Sequence, residues 1–472
     1  MSDLAIRMTR MTPAKERGTA MGRLIWGVVL AAALAGRCGA VEPDAAAKID
    51  AYVRPYVESH NFSGVVLVEQ SGKRVFERAY GMEDRARTIP ATAETRFHVA
   101  SLSMQFTAAA ILRLVDDGKL SLDEHVNAYA SQITGAEKIR VRDLLTERSG
   151  IPDINAMADY SDVLRGHQTP VALVEKVAGR PLEFEPGTKF LHEEHSAYNV
   201  LALIVEKKTG LPFPEAVRKL VLKPAGLKDT FIDDDGEDRM GRVARGYAPV
   251  GVDGLSEAEA IHWSGKTGNA SVCTTARDEA RFVWALVKGE LLSRASREEM
   301  FNETVQRGYG WFKRTNRELG EMAYSINGRA PGFSSFVVYL PREHVTVVAL
   351  SNIYSSATTD MGYDVAKIVL GRAYEPLHPG GAPGPDELKK YAGVFAFGED
   401  FYQKNARLEL KPADGYMTLV WPQGDVSALI PTGRDRFIDR SYWETVMIDR
   451  DERGVVVEMR YGQYAGTAVR AE

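Results

Sequence analysis

A chain of 472 residues, 44% hydrophobic and 26% charged, is long enough for two or three domains around a sizeable core. Its formal net charge of −5 is small for that length, so no polyanion-binding surface is implied and nucleic acid is not an expected partner.

The first forty residues read as a secretory signal. Arg23 precedes the apolar run from Leu24 to Leu34, and Cys38-Gly39-Ala40 supplies small residues before Val41, with Met21 a workable start. The run is too short for a comfortable bilayer span, and Arg37 directly before Cys38 argues against a lipid anchor. Export to the periplasm or another extracytoplasmic space is expected, with no stable membrane span after cleavage; an uncleaved anchor is the alternative. Cleavage after Ala40 leaves Cys273 alone, so no disulfide framework forms and that thiol reads as buried filler.

Strand patterns at Gly64–Glu69 and Arg74–Glu77 flank the turn Ser71-Gly72-Lys73 and predict a hairpin. Phe97-His98-Val99-Ala100-Ser101 then leads into an apolar stretch from Met104 to Val115. Only Gln105, Thr107 and Arg113 interrupt it, and Asp116-Asp117-Gly118 closes it, which predicts a helix buried on most of its surface. Ser101 at its head is either an ordinary N-cap or a nucleophile held beside backbone N–H donors. Val141 to Pro152 reads as a short helix ended by Gly150 and Pro152. Residues 198–210 read as a second apolar helix, and helical segments continue to about residue 300.

Strand patterns return at Tyr309–Phe312, Ser335–Leu340 and Val345–Leu350. A sheet built from both chain ends with helices between them predicts a two-layer α/β domain without repeated βαβ units. Residues 376–386 read as a linker; beyond it, short runs such as Leu408–Leu410, Met417–Trp421, Ala428–Ile430 and Val455–Met459 predict a small antiparallel β domain, barrel or sandwich. The expected organisation is a signal over 1–40, a main domain over 41–375, a linker over 376–386 and a β domain over 387–472.

An ordered series of landmarks resembles the serine β-lactamase and penicillin-binding-protein superfamily, on its class C-like branch of esterases and D-amino-acid peptidases. It includes Phe97-His98-Val99-Ala100-Ser101, Asp143-Leu144-Leu145-Thr146, Ser149-Gly150-Ile151-Pro152, Pro186-Gly187-Thr188, Thr274-Thr275-Ala276-Arg277-Asp278, Pro331-Gly332-Phe333-Ser334-Ser335 and Leu350-Ser351-Asn352. The resemblance covers roughly residues 45 to 372. It implies a β-lactamase-like domain, an antiparallel sheet flanked by helices with a helical subdomain, and it makes Ser101 the position of the family's nucleophile.

Three motif clusters carry the family's chemistry, and this chain departs from each. In Ser-x-x-Lys a lysine one helical turn from the serine takes its proton; here the fourth residue is Met104, whose thioether accepts none. In Tyr-x-Asn the tyrosine assists proton transfer. Counting back from Tyr198 places Glu193-Glu194-His195 there, and counting forward from Pro186-Gly187 places His192-Glu193-Glu194. The third cluster, Lys-[Thr/Ser]-Gly or His-x-Gly, falls on Ile326-Asn327-Gly328. A literal Lys266-Thr267-Gly268 lies upstream, in the wrong place, and reads as a turn.

The first reading that follows is an exported, catalytically degenerate homologue whose cleft binds a small-molecule, glycan or peptide ligand of the cell envelope, with little β-lactamase or D,D-peptidase activity. The alternative is an active serine esterase or amidase with a rebuilt site, Ser101 with His195 as base and Glu193 or Glu194 orienting it. A third, metal binding by His192-Glu193-Glu194-His195, has no evident third ligand, and no metal or cofactor is expected. His192, Tyr309 and Asn327 are candidates to line the cleft, with core packing the competing reading for Tyr309. Loss of cationic groups and gain of Glu193 and Glu194 favour a neutral or cationic ligand.

Overall fold

The computed structural model describes residues 44–190, 194–234, 243–378, 380–381 and 383–469, so the expected signal over 1–40 lies outside the described residues. Five helices carry most of the packing: α1 (Ala45–Glu58), α2 (Ser103–Asp116), α3 (His195–Thr209), α4 (Ala276–Lys288) and α5 (Ala357–Val369). The hairpin β1 (Gly64–Gln70) and β2 (Lys73–Tyr80) forms where its two apolar runs predict it. A small separate hairpin, β3 (Tyr247–Val250) and β4 (Gly254–Glu257), precedes the rest of the main sheet.

That sheet is completed by β5 (Arg307–Gly308), β6 (Trp311–Asn316), β7 (Glu321–Ala330), β8 (Phe333–Leu340) and β9 (Val345–Ser351). Its order is β5-β6-β7-β8-β9-β1-β2, antiparallel throughout, so both chain ends build one sheet as the sequence pattern predicts. Tyr309 and Gly310 do not extend β6. Both sit at positive φ, 60° and 75°, and turn the chain sharply between β5 and β6.

The two-layer expectation is corrected to three. Every residue of β8 and β9 is buried, so the strands carry no polar-out alternation and both faces are covered. Val66, Val68, Phe336, Val338, Val347 and Ala349 pack with α1 and α5. Val65, Leu67, Val337, Val348 and Leu350 face the cluster that holds α2, α3 and α4.

The C-terminal domain is a closed eight-stranded antiparallel barrel, β10 (Gly393–Ala396), β11 (Arg407–Pro412), β12 (Met417–Val420), β13 (Val426–Gly433), β14 (Arg436–Asp439), β15 (Thr445–Arg450), β16 (Val456–Tyr461) and β17 (Tyr464–Ala468). Inward residues such as Leu408, Leu410, Leu419, Leu429, Val446 and Met459 fill it. Within the span expected to be a linker, Pro385 opens a helix that runs to Tyr391. Among the described residues no helix is long and apolar enough to cross a membrane.

Candidate active site

Ser101 lies in a single 3₁₀ turn, Ala100–Leu102, from which α2 starts. It does not cap that helix: the cap position is Leu102, with no side-chain cap bond, while the Ser103 hydroxyl accepts from the Val272 N–H at 2.9 Å. Ala100 before it is held at φ 48°, a conformation that costs a non-glycine residue about 1–3 kcal/mol and survives only where its surroundings impose it. Two contacts do so here. The Ser335 hydroxyl donates to the Val99 carbonyl at 2.7 Å, and the Val99 N–H donates to Val272.

The strand bearing Ile326-Asn327-Gly328 presses directly on this turn. A Cβ built on Gly328 would stand 2.5 Å from the Val99 oxygen and 2.8 Å from the Ser101 nitrogen, so only glycine allows the approach. Residues 326–330 of β7 pair with β8 alone, because pairing with β6 ends at Phe312 opposite Ser325. The other edge is open beside Ser101. Asn327 is exposed, and Ile326 is buried in the apolar core.

α2 and α3 begin at the same end. A Cβ on Gly310 would meet Gln105 and Met104 in the first turn of α2, and the Gly310 N–H lies against the Tyr198 hydroxyl in the first turn of α3. Met104, in the place of the family's lysine, is 2% exposed and part of the core. Tyr309 is corrected from cleft to core: it is fully buried and its hydroxyl donates to Glu299 at 2.6 Å.

His195 is the first residue of α3 and is almost fully buried. Its Nδ1 lies 3.1 Å and 3.2 Å from the two Asp153 carboxylate oxygens, with the Asn155 amide 3.1 Å away. A carboxylate only accepts, so Nδ1 donates toward Asp153. Glu194 does not orient this ring. Its carboxylate turns the other way, accepting from the Ser149 hydroxyl at 2.7 Å and the Ser149 N–H at 3.2 Å. Burial pushes the Glu194 carboxyl up to about 8 against those bonds, so it carries little charge at neutral pH, and the expectation that it makes the cleft acidic is corrected. His192 and Glu193 lie outside the described residues.

Sequence reasoning missed Asp153 and Tyr160, and read Lys266 only as part of a turn. Lys266 Nζ donates to the Tyr160 hydroxyl at 3.0 Å, and burial together with the Asp153 charge pushes that phenol above its usual range. Lys266 closes a 3₁₀ turn, Trp263–Lys266, as its motif's misplacement suggests, yet it is buried rather than a solvated turn residue. Asp153 caps a short turn through the Asn155 N–H, which is all its sequence context signals. Among the described residues the Ser101 hydroxyl has no hydrogen-bond partner, His195 included. No group of three potential metal ligands occurs among the described residues.

The family model described as Beta-lactamase matches residues 49–369. Penicillin-binding protein 4* of Bacillus subtilis is 27% identical over 316 residues, covering 62% of this chain and 69% of that protein. The D-aminopeptidase of Brucella anthropi is 26% identical over 340 residues, covering 68% of this chain and 62% of its own length. In fold, the octameric penicillin-binding-protein homologue of Pyrococcus abyssi superposes with a TM-score of 0.63 at 20% identity, over 89% of this chain and 99% of that one. With the family model spanning the whole main sheet and the Ser101 turn, the chain belongs to the beta-lactamase family of serine hydrolases and penicillin-binding-protein-like proteins.

Proposed function

We propose that this protein is an exported member of its family in which the Ser101 cleft binds an envelope ligand without the turnover typical of serine hydrolases. One observation carries the reading. The side chain one turn after Ser101 is Met104, sealed in the core, and Ser101 has no base within hydrogen-bond reach among the described residues. A serine hydroxyl without a proton acceptor is a poor nucleophile, and general acid–base help alone is worth about 10²–10⁴ in rate. Three features beside Ser101 support a binding role: an open strand edge, a glycine that admits close approach, and a helix start whose first N–H groups lack intrahelical partners.

The ligand fits a neutral or cationic group, a glycan or an ester among them. Ile326 stands where the family resemblance places a cation, and Asp153 brings a carboxylate to the α3 start. A signal over 1–40 would deliver the protein to the envelope, and the names of its relatives, penicillin-binding proteins among them, suit that compartment.

The Asp153–His195 pair supports a second reading, a rebuilt triad in which Asp153 rather than Glu194 orients the imidazole that serves Ser101 as base. Purified protein and its Ser101→Ala variant, assayed with an activated ester, a fluorophosphonate probe and a fluorescent penicillin, separate the two. The binding reading expects no Ser101-dependent turnover and no covalent labelling by the penicillin. Turnover that Ser101→Ala, His195→Ala and Asp153→Asn each abolish would establish the triad instead.

A further inference from the structure

The barrel reaches back onto the strand beside Ser101 through one five-residue loop, Asp439 to Trp443. The buried Asp439 carboxylate shapes that loop, accepting from the Ser441 N–H at 2.9 Å, the Tyr442 N–H at 3.2 Å and the Tyr461 hydroxyl at 3.0 Å. Trp443 sits at φ 58° and packs on Tyr56 of α1, with ring centroids 5.4 Å apart. The loop is therefore fixed on both sides, by the barrel and by the layer behind the main sheet.

Its point of contact with β7 is Arg329, the residue after Gly328. Arg329 Nη1 donates to the Ser441 carbonyl at 2.7 Å, and its guanidinium lies 4.0 Å from the Tyr442 ring centroid and 4.4 Å from that of Tyr354. Among the described residues no carboxylate pairs with it, so two aromatic faces, the Tyr442 hydroxyl and one carbonyl hold it. Successive side chains of a strand point to opposite faces. Gly328 faces the Ser101 turn, and Arg329 faces the barrel loop. One peptide unit thus joins the loop to the close contact at Ser101 N, in the stretch where β7 has lost its β6 partner and has one neighbouring strand instead of two.

We propose that the barrel loop is a positioning element for the Ser101 cleft, acting through Arg329. The grip on Arg329 supplies the restraint that the missing strand neighbour would otherwise give residues 326–330, and it sets how closely Gly328 abuts Ser101. Arg329 and Tyr442 are positioning residues; neither touches the reacting hydroxyl. This rests on the Ser101 cleft being the functional site, but its readouts need no turnover, so its failure and that of the proposed function are distinguishable.

The test uses the full chain carrying Ser101→Cys and Cys38→Ser, in which the buried Cys273 is shielded. Iodoacetamide alkylation of position 101 and amide deuterium exchange over 326–331 are measured in this background and with Arg329→Ala, Tyr442→Leu or Tyr442→Phe added. Losing one stacked ring or the guanidinium is expected to speed exchange at Asn327–Ala330 by about threefold or more, and to change the alkylation rate by a similar factor, with exchange elsewhere unchanged. Tyr442→Phe keeps the ring but not the hydroxyl and should fall between the background and Tyr442→Leu in both values. Should Arg329→Ala fail to fold, Tyr442→Leu decides, since that ring is 36% exposed. Background-level exchange and alkylation in the folded variants, or exchange that rises evenly along the chain, would overturn the proposal.

Discussion

Met104 and Gly328 bracket Ser101, and each makes a prediction at the scale of one side chain. Met104→Lys recreates the family's first motif but places an ammonium where Met104 is 2% exposed among apolar neighbours. An unpaired buried charge is strongly destabilising, so the variant should lose about 3 kcal/mol or more by urea unfolding and gain no ester turnover. Undiminished stability together with Ser101-dependent hydrolysis would show the site is not sealed. Gly328→Ala drives a methyl to within 2.5 Å of the Val99 oxygen and should cost about 1–3 kcal/mol, while Asn327→Ala, exposed one residue away, should stay within about 0.5 kcal/mol. Ser101, Met104 and Ile326-Asn327-Gly328 were legible because their motifs are short spacings along one element. The Asp153–His195 pair was not, because 42 residues separate its members and Asp153 looks like any turn aspartate. Glu194 was read by its charge alone, and only folding shows its carboxylate turned to Ser149.

Between elements, α2 and α4 are joined by a buried polar contact next to the site. Gln105 Nε2 donates to Glu279 Oε1 at 2.5 Å, while Gln105 Oε1 and Glu279 Oε2 are buried without another partner. Burial pushes the Glu279 carboxyl up to about 8, so at neutral pH it is mostly the acid, and its O–H can serve the amide oxygen in return. Its folded pKa is raised above the 4.5 of an ordinary glutamate. The contribution is therefore complete below about pH 4.5 and is lost as pH rises through about 8, at about 1.4 kcal/mol per pH unit in that window. Glu279→Gln cannot titrate and keeps a donor for Gln105. Urea midpoints of both proteins should diverge from pH 5 to about pH 8 and hold a constant difference from there to about pH 9; a difference that stays flat from about pH 5 to 8 would show that Glu279 is ionised throughout. The elements themselves were largely readable. α2 and α3 announce themselves by long apolar runs ended by glycine, and the barrel strands by short alternating runs. The third layer was missed although Ser335–Leu340 and Val345–Leu350 lack alternation, the mark of strands covered on both faces. The β5–β6 break was missed because positive φ at Tyr309 has no signature in the residue type.

For the whole molecule, Arg440 is the residue on which barrel and main domain depend together. It is fully buried at the end of β14, yet among the described residues its guanidinium reaches no carboxylate. Nε donates to Asn61 Oδ1 at 2.8 Å, Nη2 to the His60 carbonyl at 3.1 Å, and Nη1 to the carbonyls of Val250, Gly251 and Gly254 at 3.1, 2.7 and 2.9 Å. Desolvation lowers its pKa only to about 10, so it stays charged at neutral pH, with neutral dipoles as its solvent. One barrel residue thereby satisfies the turn of the β3–β4 hairpin and the loop before β1, acceptors that otherwise have to find water. Trp443 and Ile430 add apolar contact to the cluster behind the main sheet, so barrel and sheet share a core as well as a polar latch. A shared latch of this kind makes unfolding cooperative. Calorimetry of the intact protein should show one transition for residues of both domains. Arg440→Ala leaves five acceptors without their donor, the buried Asn61 Oδ1, worth about 1–3 kcal/mol when unsatisfied, and four half-buried carbonyls, and should split that transition in two. It should also expose the segment around residues 376–386 to limited proteolysis, while Arg440→Lys, with three donors for five acceptors, should fall between them. A single transition at the original temperature in Arg440→Ala would mean that the apolar contact of Trp443 and Ile430 suffices, and that the arginine is incidental to how the two domains hold together.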